Sequence, residues 1–174
     1  AQADAVWHVD RSPAGAATVA GRIHALLPGA TEQRTGPGDA VPDLGWDDRF
    51  FFAGEDRMFP FATIVAHDIA GFDDLSGLDR AGMFRVNIEV GRKEFTRLFG
   101  YGPEGFAAHR DTIDFAAVDQ FMPHPVYAVQ GWASVVNPAV NSAAELGRLL
   151  TAAHDRSLAR QQRVSNPGRP PAHG

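Results

Sequence analysis

The chain has 174 residues, 44% of them hydrophobic and 21% charged, a globular balance that supplies one core and argues for a single domain. Its formal charge of -5 sets its field against nucleic-acid phosphates and anionic membranes, and its 16 basic residues form no visible local patch. The absence of cysteine excludes disulfides, a thiol nucleophile and thiolate metal sites, and no run approaches the ~18 apolar residues of a membrane span.

No secretory pattern opens the chain, and a start at Ala1 rather than Met implies trimming, so the expected compartment is the cytoplasm. Residues 1–14 lack a sustained period and read as a flexible arm. Val19, Ile23, Leu26 and Leu27 then lie along one helical stripe that stops at Pro28-Gly29, which predicts a helix over 16–27. GPGDAVPDLG at 36–45 breaks both periods and predicts a surface loop. WDDRFFFA and FPFATIVAHDI, rich in β-branched and aromatic residues and separated by GEDRM, predict a hairpin.

After the polar, Gly-punctuated stretch 72–82, MFRVNIEV alternates strictly, with Phe84, Val86, Ile88 and Val90 on one face and Arg85, Asn87 and Glu89 on the other. Lys93 to Phe99 predicts a short helix stopped by Gly100, and Asp114 predicts the cap of a second, with Phe115, Val118 and Phe121 inward until Pro123. GWASVVNP predicts a last strand. Ser142 and Glu145 form a capping-box pattern ahead of a long helix to about residue 160. The remainder, 162–174, is Arg, Pro, Gly and His without an apolar period and predicts a disordered tail. A run of strands followed by helices argues α+β, a mostly antiparallel sheet with helices on one face, within a single domain over 15–161.

Three groups of residues carry candidate chemistry. In PHPVYAVQGW, His124 titrates near neutrality, Tyr127 and Gln130 can orient a polar ligand and Trp132 can stack on it; equally, the two prolines stiffen a crossing while the rings fill the core edge. On the alternating strand, Arg85 suits a carboxylate or phosphate, Asn87 a polar ligand and Glu89 a base, although such a row is also the ordinary wet face of an antiparallel sheet. His67 and Asp68 point to opposite faces and cannot form a dyad with each other; antiparallel pairing of 61–69 with 83–90 brings His67 toward Arg85 or Asn87, against a solvated strand end as the plain alternative.

Asp47, Asp48, Asp73, Asp74 and Asp79 make two acidic loop clusters, able to share a proton or hold a cation but more commonly solvated. Seven histidines include no metal-binding spacing, and no phosphate-cradling glycine loop or serine elbow is present, so neither metal nor cofactor is expected.

FPFATIVAHDIAGFDDLSGLDRAGMFRVNIEVGRKEF and FMPHPVYAVQGWASVVNP resemble an uncharacterised actinobacterial family with PFATIV, LDRPG, F-R-x-N-I-x-V and HPVY-x-x-x-W-x-x-x-x-NP segments, over roughly residues 45–160. The Arg, Ala, Gly and Pro bias, with Lys93 the single lysine, is similar to that of proteins from high-GC genomes. Ala81, Glu89, Val129 and Gly131 depart from the family pattern. More distantly, the hairpin and the closing strand and helix are similar to the MmcQ/YjbR-like "double wing" proteins, which implies architecture and no activity.

The reading that follows is a protein binding a small organic molecule between its sheet and the HPVY loop, as a sequestering protein or a cofactor-free biosynthetic enzyme for a cyclisation, isomerisation or elimination. In the enzymatic form His124 or His67 moves a proton, with Glu89 a further candidate base, Arg85 stabilises negative charge, and Tyr127, Gln130, Trp132 and Asn87 hold the ligand. The alternative is an interaction module of the double-wing type that meets a protein partner, DNA being disfavoured by the charge.

Overall fold

A computed structural model describes residues 15–36 and 47–165, with Gly168. The predicted arm, nearly all of the predicted 36–45 loop and most of the predicted tail lie outside these residues. Helix α1 spans Gly15–Leu26, and the strands are β1 Ala30–Arg34, β2 Arg49–Ala53, β3 Ala62–Val65 and β4 Arg85–Glu89. Helix α2 is Gly91–Phe99, and a single turn, α3, occupies Phe106–His109. Strands β5 Phe121–Pro123 and β6 Trp132–Val136 precede the long helix α4, Ala143–Ser165.

The strands form one six-stranded sheet in the order β1-β2-β3-β4-β6-β5, antiparallel throughout its ladders. The expected α+β class with an antiparallel sheet therefore holds. Register sorts the side chains onto two faces, because residues directly opposite point the same way. Phe51, Ala62, Ile88 and Ala133 form one cross-sheet row, and Ile64, Val86 and Val135 the next. All seven are buried in a single cluster with Val19 and Ile23 of α1, Phe95 of α2, and Leu146, Leu149, Leu150 and Ala153 of α4. The apolar stripes recognised in the sequence are thus the surfaces that meet, and their burial drives the assembly at about 25 cal/mol per Å² removed from water.

The opposite face carries Thr63, Asn87, Ser134 and Met122 in one row and Val65, Arg85 and Val136 in the next. Water does not cover its centre: Arg85 is fully buried, and Asn87 and Ser134 are buried beside it. Loop segments 66–82 and 124–131 lie over it, supplying Asp73, Ser76 and His124. The wet-face alternative is therefore corrected at Arg85 and Asn87.

Local differences from expectation have physical reasons. Strand β1, ATEQR, offers almost no apolar alternation and is held as an edge by its ladder to β2. The helix expected from Asp114 to Pro123 does not form; Asp119 adopts φ 56°, a left-handed conformation that ends any helix there, and Phe121–Pro123 is an edge strand on β6. Asp119 also replaces the capping box. Its carboxylate accepts the N–H groups of Ala139, Asn141 and Ser142 and the Ser142 hydroxyl, while Glu145 pairs with Arg97 and Arg148. Burial raises the Asp119 pKa, but the Ser142 hydroxyl and these amides outweigh it and leave the carboxyl lowered. Helix α4 continues to Ser165, beyond the predicted domain edge at 161.

Gly131 takes φ +83° where the 124–131 segment turns into β6, and an added Cβ would lie 3.3 Å from Gly91 Cα. Gly91 itself has φ +80° and donates its N–H to Gly131 O at 3.0 Å. This close approach needs two glycines, since a side chain on either is strained in that conformation. Among the described residues no helix is long and apolar enough to cross a membrane.

Candidate functional site

The Arg85 guanidinium sits at the centre of the loop-covered face, with each of its three nitrogens donating to a neighbour. Nη1 and Nη2 donate to the two carboxylate oxygens of Asp73 at 2.9 and 2.5 Å, Nη1 also reaches Ser76 Oγ at 3.0 Å, and Nε donates to Asn87 Oδ1 at 2.7 Å. Asn87 Nδ2 donates to Thr63 Oγ1 and the Ser134 hydroxyl to Asn87 Oδ1, which continues the network across three strands. A bidentate arginine–carboxylate pair is the arrangement that best offsets the desolvation of a buried charge. Its chemistry is to clamp the 66–82 segment onto β4.

His124 follows β5 and is buried. Its Nδ1 accepts the N–H groups of Val126 and Tyr127, both at 3.0 Å, which places the proton of the neutral ring on Nε2. Nε2 lies 3.4 Å from Arg85 Nη2, so two donors face each other there. Burial, and then the Arg85 charge, lower the His124 pKa to about 3, with Asp73 opposing. The ring is therefore a neutral acceptor that holds its own turn together at physiological pH.

Asp48 is the unexpected member. It precedes Arg49, whose partner is Ile64, so alternation turns Asp48 to the face of Phe50, Thr63, Asn87 and Arg85. It is buried, and its Oδ1 has no hydrogen-bond partner among the described residues. Its pKa is raised to about 7, with burial the main cause; an Ala66 N–H bond and Arg85 oppose the rise, and Asp73 and Asp47 add to it. An aspartate with this poise exchanges a proton near neutrality.

Of the other expected residues, Tyr127 and Trp132 border the His124 ring, at 5.0 and 6.4 Å between centroids, and the rest lie apart from this cluster. His67 stands exposed beyond the end of β3, 3.9 Å from Asp79, and does not reach Arg85 or Asn87, because β3 ends two residues earlier and Val65 is the residue opposite Arg85. Glu89 pairs with Arg160 of α4 at 2.8 Å instead of standing free as a base. Tyr127 is 41% exposed and meets Phe72 edge-on at 6.3 Å, Gln130 is exposed, and Trp132 is half-buried with its ring 6.4 Å from that of His124.

Among the described residues, two hollows are of ligand size. One, of about 400 Å³, lies at the ends of β1 to β4 beneath α1, where Arg34, Arg49, His67, Asp79 and Arg80 reach it. Arg34 and Arg49 are already paired there, with Asp47 and Glu32. The other, of about 550 Å³, opens beside β5, walled by Phe99, Tyr101, His109, Ile113, Asp114 and Phe121. The Tyr101 and His109 rings stack at 3.8 Å and 4°, and the Phe95, Phe99 and Tyr101 rings pack together behind them. Neither hollow is lined by Tyr127 or Trp132.

Several of these residues left a trace in the sequence. Asp48 and Asp73 belong to the acidic loop clusters, whose paired carboxylates suggested proton sharing, yet only the fold shows which two of the five turn inward. Tyr101 and His109 fall in a stretch with no clear period, and no local pattern marks them.

Fold and face together define an α+β domain with a one-sided helical core and a loop-clamped polar sheet face. The chain belongs to a family described as "Family of unknown function (DUF6194)", whose match covers residues 16–166. No curated protein and no solved structure matches it.

Proposed function

We propose that this protein binds a small organic molecule in the hollow beside β5. The single observation that carries the reading is its ligand-sized volume of about 550 Å³ with aromatic walls from Phe99, Tyr101 and Phe121. Phe121, Met122 and Pro123, which lead directly into His124, form one side of it. Pro123 is where the proline-stiffened crossing borders this hollow, and the Arg85–Asp73 clamp serves to hold the neighbouring sheet rigid. A cofactor-free proton transfer in this hollow falls to His109 and Tyr101, in place of the clamped Arg85 and His124.

The test is to fill the space. Ala117 lines the hollow and is half-buried, so Ala117→Trp puts an indole where a ligand would lie. A fragment panel followed by NMR is expected to move the resonances of Tyr101, His109 and Phe121 in the wild-type protein and to leave them still in the variant. Shifts that persist in Ala117→Trp, or that gather elsewhere in the wild type, refute the assignment.

A second reading is favoured by a separate observation. Ile69, Phe72, Leu75, Tyr127 and Val129, from the two covering loops, are all exposed apolar residues, Phe72 at 52% and Val129 at 57%. In this reading the domain is a double-wing module of the MmcQ/YjbR type, of actinobacterial origin, whose loop face meets a protein partner. Loss of partner capture in Phe72→Ser with the fragment shifts intact would favour it.

A further inference from the structure

The charges around the β5 hollow say what it selects. Asp114 is the one residue of its lining with a formal charge at neutral pH when histidine is neutral. Its Oδ1 accepts the Ala116 N–H at 3.0 Å, and the side chain is exposed at the mouth of the hollow. His109 Nδ1 lies 2.9 Å from Gly105 O; a carbonyl can only accept, so Nδ1 carries a proton, and in the neutral ring Nε2 is the acceptor. No lysine or arginine lines the space. The wall therefore offers a carboxylate, an imidazole and the aromatic rings of Phe99, Tyr101 and Phe121.

We propose that the ligand of this hollow is an organic amine, protonated at neutral pH, with an apolar body. The proposal rests on the reading of the hollow as a binding site. The ammonium group sits against Asp114, attracted to its carboxylate, and the hydrocarbon part packs on Leu98, Phe99 and Ile113. An anion is opposed here by Asp114, and more broadly by the net charge of -5.

Three probes of equal size and different charge decide it: benzylammonium, benzyl alcohol and benzoate, each titrated into the full chain with NMR detection at Tyr101, His109 and Phe121. Benzylammonium is expected to bind about five- to tenfold more tightly than benzyl alcohol, with benzoate weakest. Asp114→Asn keeps the acceptor for Ala116 and should bring the amine to the level of the alcohol in the same variant. Equal binding of amine and alcohol in the wild type, or an amine preference that survives Asp114→Asn, overturns the proposal and leaves the hollow standing as a binding site. Failure of all three probes to shift those resonances overturns both.

Discussion

Replacing Asp48 by Asn removes a buried acid while keeping an oxygen for the Ala66 N–H. The Asp48 pKa rises from 3.8 to about 7 on folding, and three units at 1.36 kcal/mol each amount to about 4 kcal/mol. Below pH ~4 both states hold the proton and the group contributes nothing. Between about pH 4 and 7 the unfolded chain ionises while the folded one does not, so stability falls with rising pH by about 1.4 kcal/mol per unit. His124 acts the other way. With its pKa lowered from 6.5 to about 3, the stability it supports is complete above about 6.5 and is lost as pH falls toward 3.

The two slopes oppose each other between about pH 4 and 6.5, and Asp48→Asn leaves the His124 slope alone. Urea unfolding followed by far-UV circular dichroism should therefore show a variant about equal to wild type near pH 4 and more stable by up to about 4 kcal/mol at pH 8. Taking the difference between the two proteins cancels the titrating groups that do not interact with Asp48. A margin independent of pH, or a variant less stable than wild type at pH 8, would refute the assignment of Asp48 as a buried acid.

Other outcomes follow from the same cluster and its supports. Asp73→Ala leaves the Arg85 charge buried without its carboxylate and is expected to cost about 3–5 kcal/mol, whereas Arg85→Met with Asp73→Leu should recover most of that loss in the same unfolding assay. If the double variant loses as much as the single, the clamp is not an uncompensated-charge effect. Gly131→Ala forces a side chain into φ +83° against Gly91; about 1–2 kcal/mol from the backbone alone lowers the melting temperature by roughly 3–8 °C. An unchanged melting temperature would show that the Gly91–Gly131 approach relaxes freely.

Much of the architecture was legible because burial leaves a period in the sequence. Val19 and Ile23, the alternation from Phe84 to Val90, and Leu146, Leu149 and Leu150 each mark the face that enters the core, and the structure buries all of them together. What alternation cannot say is what covers the other face. Arg85, Asn87 and Glu89 look equivalent in sequence, but tertiary packing buries the first two under the loops and sends the third to Arg160 of α4. Likewise β5, three residues long, and β1, nearly devoid of apolar residues, exist through their ladder partners and carry no period of their own. The hollow of Tyr101, His109 and Asp114 joins residues from a turn, the end of a one-turn helix and a loop, placed there by α2 and β5. Local chemistry determined which segments hide one side; long-range contact alone decided which polar groups went in with them, because a buried charge is stable only where distant partners meet it.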